Sequence, residues 1–126
     1  MAPFRIHKEV RWMISSDVSR GYNDSFILSI LIDGDSYGYE ISRQIRERTN
    51  EQYVMKETTL YSAFTRLKKK GFITSYPGKE TQGRKRTYYK ITAKGKGYFL
   101  GKQKEWLLTK SVVDTFVGGG QNEYDS

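Results

Sequence analysis

Nine lysines and arginines fall between residues 66 and 90 (Arg66, Lys68, Lys69, Lys70, Lys79, Arg84, Lys85, Arg86 and Lys90), against one acid, Glu80. Their excess equals +8, the formal net charge of the whole 126-residue chain, so the rest of the sequence is balanced. Cations gathered in one stretch suit a shaped polyanion. Neutralising phosphates and releasing their counterions supplies most of the affinity for a nucleic acid.

Two kinds of element must present these charges. Thr58 is placed to cap a helix running to about Lys70, with Leu60, Phe64 and Leu67 buried at i, i+4 and i+7. Gly71 follows, where a left-handed residue commonly ends a helix. Opposite the apolar stripe the pattern places Thr59, Ser62, Arg66 and Lys69. Short Thr and Ser side chains let a backbone approach a groove floor, and Arg66 is long enough for a guanine edge or a phosphate. The first turn also aims free N–H groups and a positive dipole end at phosphate. Tyr61 has two readings, a hydroxyl on phosphate or a core ring. Beyond the helix, residues 72–76 and 85–91 alternate as the strands of a hairpin, whose tip carries Lys79, Gln82, Gly83, Arg84, Lys85 and Arg86. Three consecutive cations there repel one another unless an anion offsets them.

The remaining segments must hold this pair of elements in place. Val10, Met13, Ile14 and Val18 have helical spacing, which predicts a short N-terminal helix. Asn23 or Asp24 is expected to cap a second helix through Asp33, apolar nearly all round and so central to the core. Ser36 is expected to cap a third from Tyr37 to about Arg48, with Tyr37, Ile41 and Ile45 on its buried stripe. Thr92 is expected to cap a long final helix reaching about Val117. Phe99, Trp106 and Val113 recur in it every seventh residue, the spacing of a seam for a helical partner. The order predicts a mainly α (α+β) winged helix-turn-helix. Its divisions are an N-terminal arm (1–20), a DNA-binding domain (21–92), a dimerisation helix (93–117) and a disordered tail (118–126).

Several functions are set aside. There is no cysteine and one histidine, His7, so disulfides, cysteine-type zinc fingers and a metal site are not expected. No acid pair, nucleophile motif or phosphate-cradling glycine loop stands out, and nothing calls for a cofactor, so the chain reads as a non-enzyme. The longest apolar run, residues 26–32, is far short of a membrane span, and the N-terminus lacks a secretory core. A cytoplasmic location is expected. A second reading keeps the winged helix but turns its basic face to a protein or a membrane surface.

The run Gly34-Asp35-Ser36-Tyr37-Gly38-Tyr39-Glu40-Ile41, then Thr59-Leu60-Tyr61 with Arg66-Leu67 and Lys70-Gly71-Phe72-Ile73, and finally Arg86-Thr87-Tyr88-Tyr89-Lys90-Ile91-Thr92, resembles the PadR-like transcriptional regulators. The resemblance implies a homodimeric repressor whose recognition helices enter successive major grooves of palindromic double-stranded DNA. It places Tyr37 and Tyr39 at the start of the helix before the turn. It puts Thr59, Tyr61 and Arg66 on the recognition helix, and residues 84–86 on the wing. The single C-terminal helix looks most like the small, drug-responsive branch. There a tryptophan at the position of Trp106 stacks planar aromatic compounds at the dimer interface. Trp12 is expected to pack against that interface or line the same cavity.

Overall fold

The structure, a computed structural model, describes residues 13–79, 83 and 85–118. Its elements are α1 (Ser16–Ser19), α2 (Asn23–Ile32), β1 (Ser36–Tyr37), α3 (Gly38–Arg48), α4 (Glu57–Lys69), β2 (Ile73–Pro77), β3 (Thr87–Ile91) and α5 (Ala93–Val117). The expected N-terminal helix falls mostly outside the described residues. Within them, residues 13–15 are not helical and α1 is a single turn.

Helix α2 is central because it is apolar on most of its surface. It packs on α3, α4, β3 and α5 at once, and Ile27, Leu28 and Leu31 are fully buried. Its N-cap is Tyr22, without a side-chain cap bond, and neither Asn23 nor Asp24 takes that place. Asn23 is buried instead, where its Oδ1 accepts from Tyr53 Oη at 2.6 Å. A buried amide needs a partner, and a tyrosine thirty residues away supplies it.

The Ser36 cap is also corrected. Ser36 and Tyr37 form the short strand β1, antiparallel to β3 with Ser36 opposite Tyr89 and Tyr37 opposite Tyr88. Helix α3 therefore starts at Gly38, and Tyr37 is its N-cap. The sheet order is β1-β3-β2, with β2 and β3 in register from Ile73↔Ile91 to Pro77↔Thr87.

Between α3 and α4, Thr49 Oγ1 donates to the Ile45 carbonyl at 2.9 Å and accepts from the Tyr53 amide at 3.1 Å. This one hydroxyl ties the end of α3 to the turn that leads into α4. Helix α4 buries Leu60, Ala63, Phe64 and Leu67 against α2, α3 and β2. It ends at Gly71 (φ +80°), where the Phe72 amide bonds the Leu67 carbonyl at 2.9 Å and the Gly71 amide bonds the Lys68 carbonyl at 3.0 Å. At the other end of the hairpin, Thr92 Oγ1 accepts from the Gly95 amide at 3.0 Å and caps α5 as the sequence predicts.

Candidate nucleic-acid interface

The interface is built on α4. Its apolar stripe faces α2, so Thr58, Ser62, Thr65 and Lys69 point outward, and all four are exposed. Of the expected stripe, Ser62, Arg66 and Lys69 are exposed, with Arg66 at the edge nearest α2, while Thr59 is half-buried. Thr65 belongs to the stripe and escaped the pattern, because Arg66 beside it carries the more conspicuous side chain. Thr58 is an exposed residue of the first helical turn. The N-cap is Lys56, which makes no side-chain cap bond.

Arg66 pairs with Asp24 in the first turn of α2. Its Nε donates to Asp24 Oδ2 at 3.1 Å and its Nη2 to Oδ1. The hydrogen bond to Asp24 raises the guanidinium pKa further above its ordinary value. Arg66, Ser62, Thr58, Thr59, Asp24, Arg20 and Tyr98 surround an open concavity of about 450 Å³ between α2, α4 and α5.

Tyr61 takes parts of both readings. Its ring meets Phe64 edge-on at 5.3 Å, its hydroxyl rests on Gly38 in the first turn of α3, and the residue stays half exposed. A Cβ at position 38 would collide with that hydroxyl, which is why glycine opens the helix. Tyr39, one residue on, is exposed on the same turn.

The wing stands on a row of three tyrosines that the sequence pattern did not reveal. Tyr37, Tyr88 and Tyr76 occupy paired positions across the three strands. Their rings are 5.4 Å and 5.8 Å apart. Tyr76 Oη donates to Asp35, and that bond holds its pKa above the usual phenol value. Arg86 lies 4.2 Å over the Tyr37 ring and closes the row. Tyr37 thus belongs to the base of the wing and not to a helix stripe. Lys79 and Lys85 are exposed at the tip, while Arg84 lies outside the described residues.

Charge is distributed unevenly. On α3, Arg43 bonds Glu40 at 2.6 Å and Glu47 at 2.7 Å, and Arg43 keeps the Glu40 carboxyl below its usual pKa. Lys68, Lys69, Lys70, Lys79, Lys85 and Lys90 form no ion pair with another described residue. Among the described residues no group of three or more His, Cys, Asp or Glu gathers where a metal could sit, and no helix is long and apolar enough to cross a membrane.

The seven-residue seam on α5 divides. Phe99 packs against the chain's own core, and Trp106 meets Tyr22 edge-on at 5.4 Å while remaining 44% exposed. Val113 is exposed together with Leu107, Leu108, Val112, Phe116 and Val117. The upper end of the seam thus serves the monomer, and the lower half of α5 is left uncovered. Trp12 lies outside the described residues.

A helix, a turn, a polar-faced second helix and a basic antiparallel hairpin define a winged helix-turn-helix protein. The model of the PadR-like transcriptional regulator family matches residues 27–100, and the chain belongs to that family, one of regulators and not of enzymes. It is 62% identical to a transcriptional regulator from Clostridium thermocellum of solved structure, with a TM-score of 0.78, over 83% of this chain and 99% of that one. It is 47% identical over 107 residues to an uncharacterised protein of Lysinibacillus sphaericus, covering 85% of this chain and 98% of the relative. Bacillus subtilis PadR, solved in complex with operator DNA, is 25% identical with a TM-score of 0.56, over 67% of this chain and 46% of that one.

Proposed function

We propose that this chain is a dimeric repressor that binds a palindromic operator, with α4 in the major groove and the wing on the adjoining backbone. The observation that carries the reading is the exposed polar stripe of Thr58, Ser62, Thr65 and Lys69 on α4, together with a wing that exposes Lys79 and Lys85. The operator complex of the B. subtilis relative supports duplex DNA as the partner. Two copies of α4 in a symmetric dimer reach half-sites about one helical turn, ~34 Å, apart.

The dimer partner is a second copy of this chain docking on α5, whose lower half exposes Leu107, Leu108, Val112, Val113, Phe116 and Val117. An apolar surface of that extent on a soluble helix calls for a cover. Residues 21–92 form the DNA-binding domain and 93–117 the dimerisation helix. As in the small, drug-responsive branch, a planar aromatic effector at the dimer interface beside Trp106 releases the operator. The protein acts in the cytoplasm.

Titrating the duplex upstream of its own gene by fluorescence anisotropy, at several salt concentrations, tests the reading. Specific retention over random DNA, with affinity falling steeply in salt, is expected. Equal binding of operator and random duplexes at every salt would favour the second reading, in which the basic face meets a protein or membrane surface.

A further inference from the structure

Arg66 and Asp24 are 42 residues apart in sequence, yet their side chains form a two-point pair across the α2–α4 boundary. The carboxylate engages one edge of the guanidinium, through Nε and one Nη2 hydrogen. A guanidinium has five N–H donors, so both Nη1 hydrogens and the outer Nη2 hydrogen remain free. That end is a fork matched to the O6 and N7 of guanine. The burial is graded in the same direction. The Asp24 side chain is 18% exposed and that of Arg66 45%, which puts the carboxylate inside and the guanidinium toward solvent.

Charge separates base from phosphate. A guanidinium neutralised by a fixed carboxylate has little net attraction for a phosphate, and the carboxylate itself repels one. The donor fork survives neutralisation, and a rotamer-rich side chain held in place loses less freedom on docking. Lys68 and Lys69, on the same helix turn, have no such acid and keep their full attraction for the backbone.

We propose that Asp24 is a positioning residue that holds Arg66 so that its free fork reads one guanine in each half-site. The proposal rests on the DNA-binding reading above and goes beyond it, because it assigns base specificity to a residue outside the helix-turn-helix. A simple lock, with Asp24 withholding Arg66 from DNA, is disfavoured because the carboxylate occupies only the Nε/Nη2 edge of the guanidinium and leaves the fork open.

The test is selection from a pool of randomised duplexes by the full chain and its Asp24→Asn, Asp24→Ser and Arg66→Ala variants, with affinities then measured on the selected and on scrambled duplexes. Wild type is expected to enrich a two-fold motif with a guanine that Arg66→Ala no longer selects. Asp24→Asn should lose preference at that same position. Its specific-to-scrambled affinity ratio should fall roughly tenfold, while its binding to scrambled DNA becomes slightly tighter. Asp24→Ser, a residue well accepted at a helix N-terminus, carries the same expectation should the Asn variant fold poorly by circular dichroism. Retention of the guanine with an unchanged ratio would overturn the proposal and leave the pair as a tie between helices. Tighter binding to both duplexes with the guanine retained would overturn it in favour of a lock. A wild type that enriches no motif would remove the DNA reading itself, and the proposal with it.

Discussion

Phe64 of α4 lies flat against Tyr89 of β3, with ring centroids 3.9 Å apart and planes within 19°. The central strand of the wing and the helix that enters the groove are thereby held as one body. Phe64 is essentially buried, and so is Tyr89. Replacing Phe64 by Ala removes the stack and opens a cavity, at a cost of about 3–5 kcal/mol. Phe64→Leu keeps most of the volume and costs roughly 1 kcal/mol. Denaturant unfolding of the two variants measures the difference. Equal midpoints for Phe64→Ala and wild type would show that the stack holds nothing together.

The same contact gives a pH dependence. Burial raises the Tyr89 pKa above its ordinary value, with the phenol of Tyr61 adding to the effect. The unfolded chain therefore gives up this proton first. Stability from Tyr89 is complete below about pH 10, the unperturbed phenol value, and is lost as pH rises toward the folded pKa. The melting temperature of wild type should fall above that point more steeply than that of Tyr89→Phe, which retains the stacked ring. Tyr76 is raised too, through Asp35, so the clean comparison is made in a Tyr76→Phe background. Parallel melting curves for both proteins from pH 8 to 11 would contradict this assignment.

What the sequence made legible was local. Leu60, Phe64 and Leu67 mark the buried face of α4 within three turns, and Gly71 and Thr92 mark ends whose bonds close over a few residues. The features that stayed hidden depend on partners far along the chain. Strand β1 has two residues, too few for any alternation to show, and exists because Tyr88 and Tyr89 pair with it. Asn23 has the chemistry of a cap, but Tyr53 claims its side chain. Of the expected outward stripe only Thr59 is half-buried, and the tie of Arg66 to Asp24 of α2 is likewise invisible in a helical pattern.

Two glycines near the start of α5 should respond in opposite directions to the same substitution. Alanine normally stabilises a helix interior relative to glycine by about 0.5–1 kcal/mol. Nothing lies within 4 Å of a Cβ at Gly97, so Gly97→Ala should gain that amount. At Gly95 the Cβ would run into the Phe72 carbonyl and approach Ile91 Cγ1 to 2.9 Å. Backbone cannot yield as a side-chain tip can, so Gly95→Ala should cost on the order of 1–3 kcal/mol. Thermal melts decide it. A stabilised Gly95→Ala would mean that the first turn of α5 does not lie against Phe72 and Ile91.

On α4 the exposure of Thr65 and the partial burial of Thr59 make a prediction that separates the structure from the sequence pattern. Thr65→Ala and Ser62→Ala should alter which duplexes are selected, whereas Thr59→Ala, half-buried against the flank, should leave the preference unchanged. Lys69→Ala should weaken binding to all duplexes alike and make the slope of log K against log salt shallower by about 0.9. The counterpart at the wing is Lys85→Ala, expected to act in the same way. If Thr59→Ala changed the preference and Thr65→Ala did not, the stripe would lie where the sequence alone placed it.

Trp106 offers the most direct reading of the interface on α5. Its indole meets Tyr22 edge-on at 5.4 Å, so one side is packed within the monomer while the residue remains 44% exposed. Aromatic pairs of this kind contribute roughly 0.5–1.5 kcal/mol beyond their buried area. Tyr22→Ala should therefore shift the Trp106 emission to the red with a small loss of stability. Trp106→Ala should weaken the dimer in sedimentation velocity, because it removes the largest ring beside the exposed Leu107 and Val113. A planar aromatic dye should quench wild-type emission and fail to bind Trp106→Ala. Wild-type emission untouched by a broad set of planar dyes, with dimerisation still lost in the variant, would assign Trp106 to subunit packing alone.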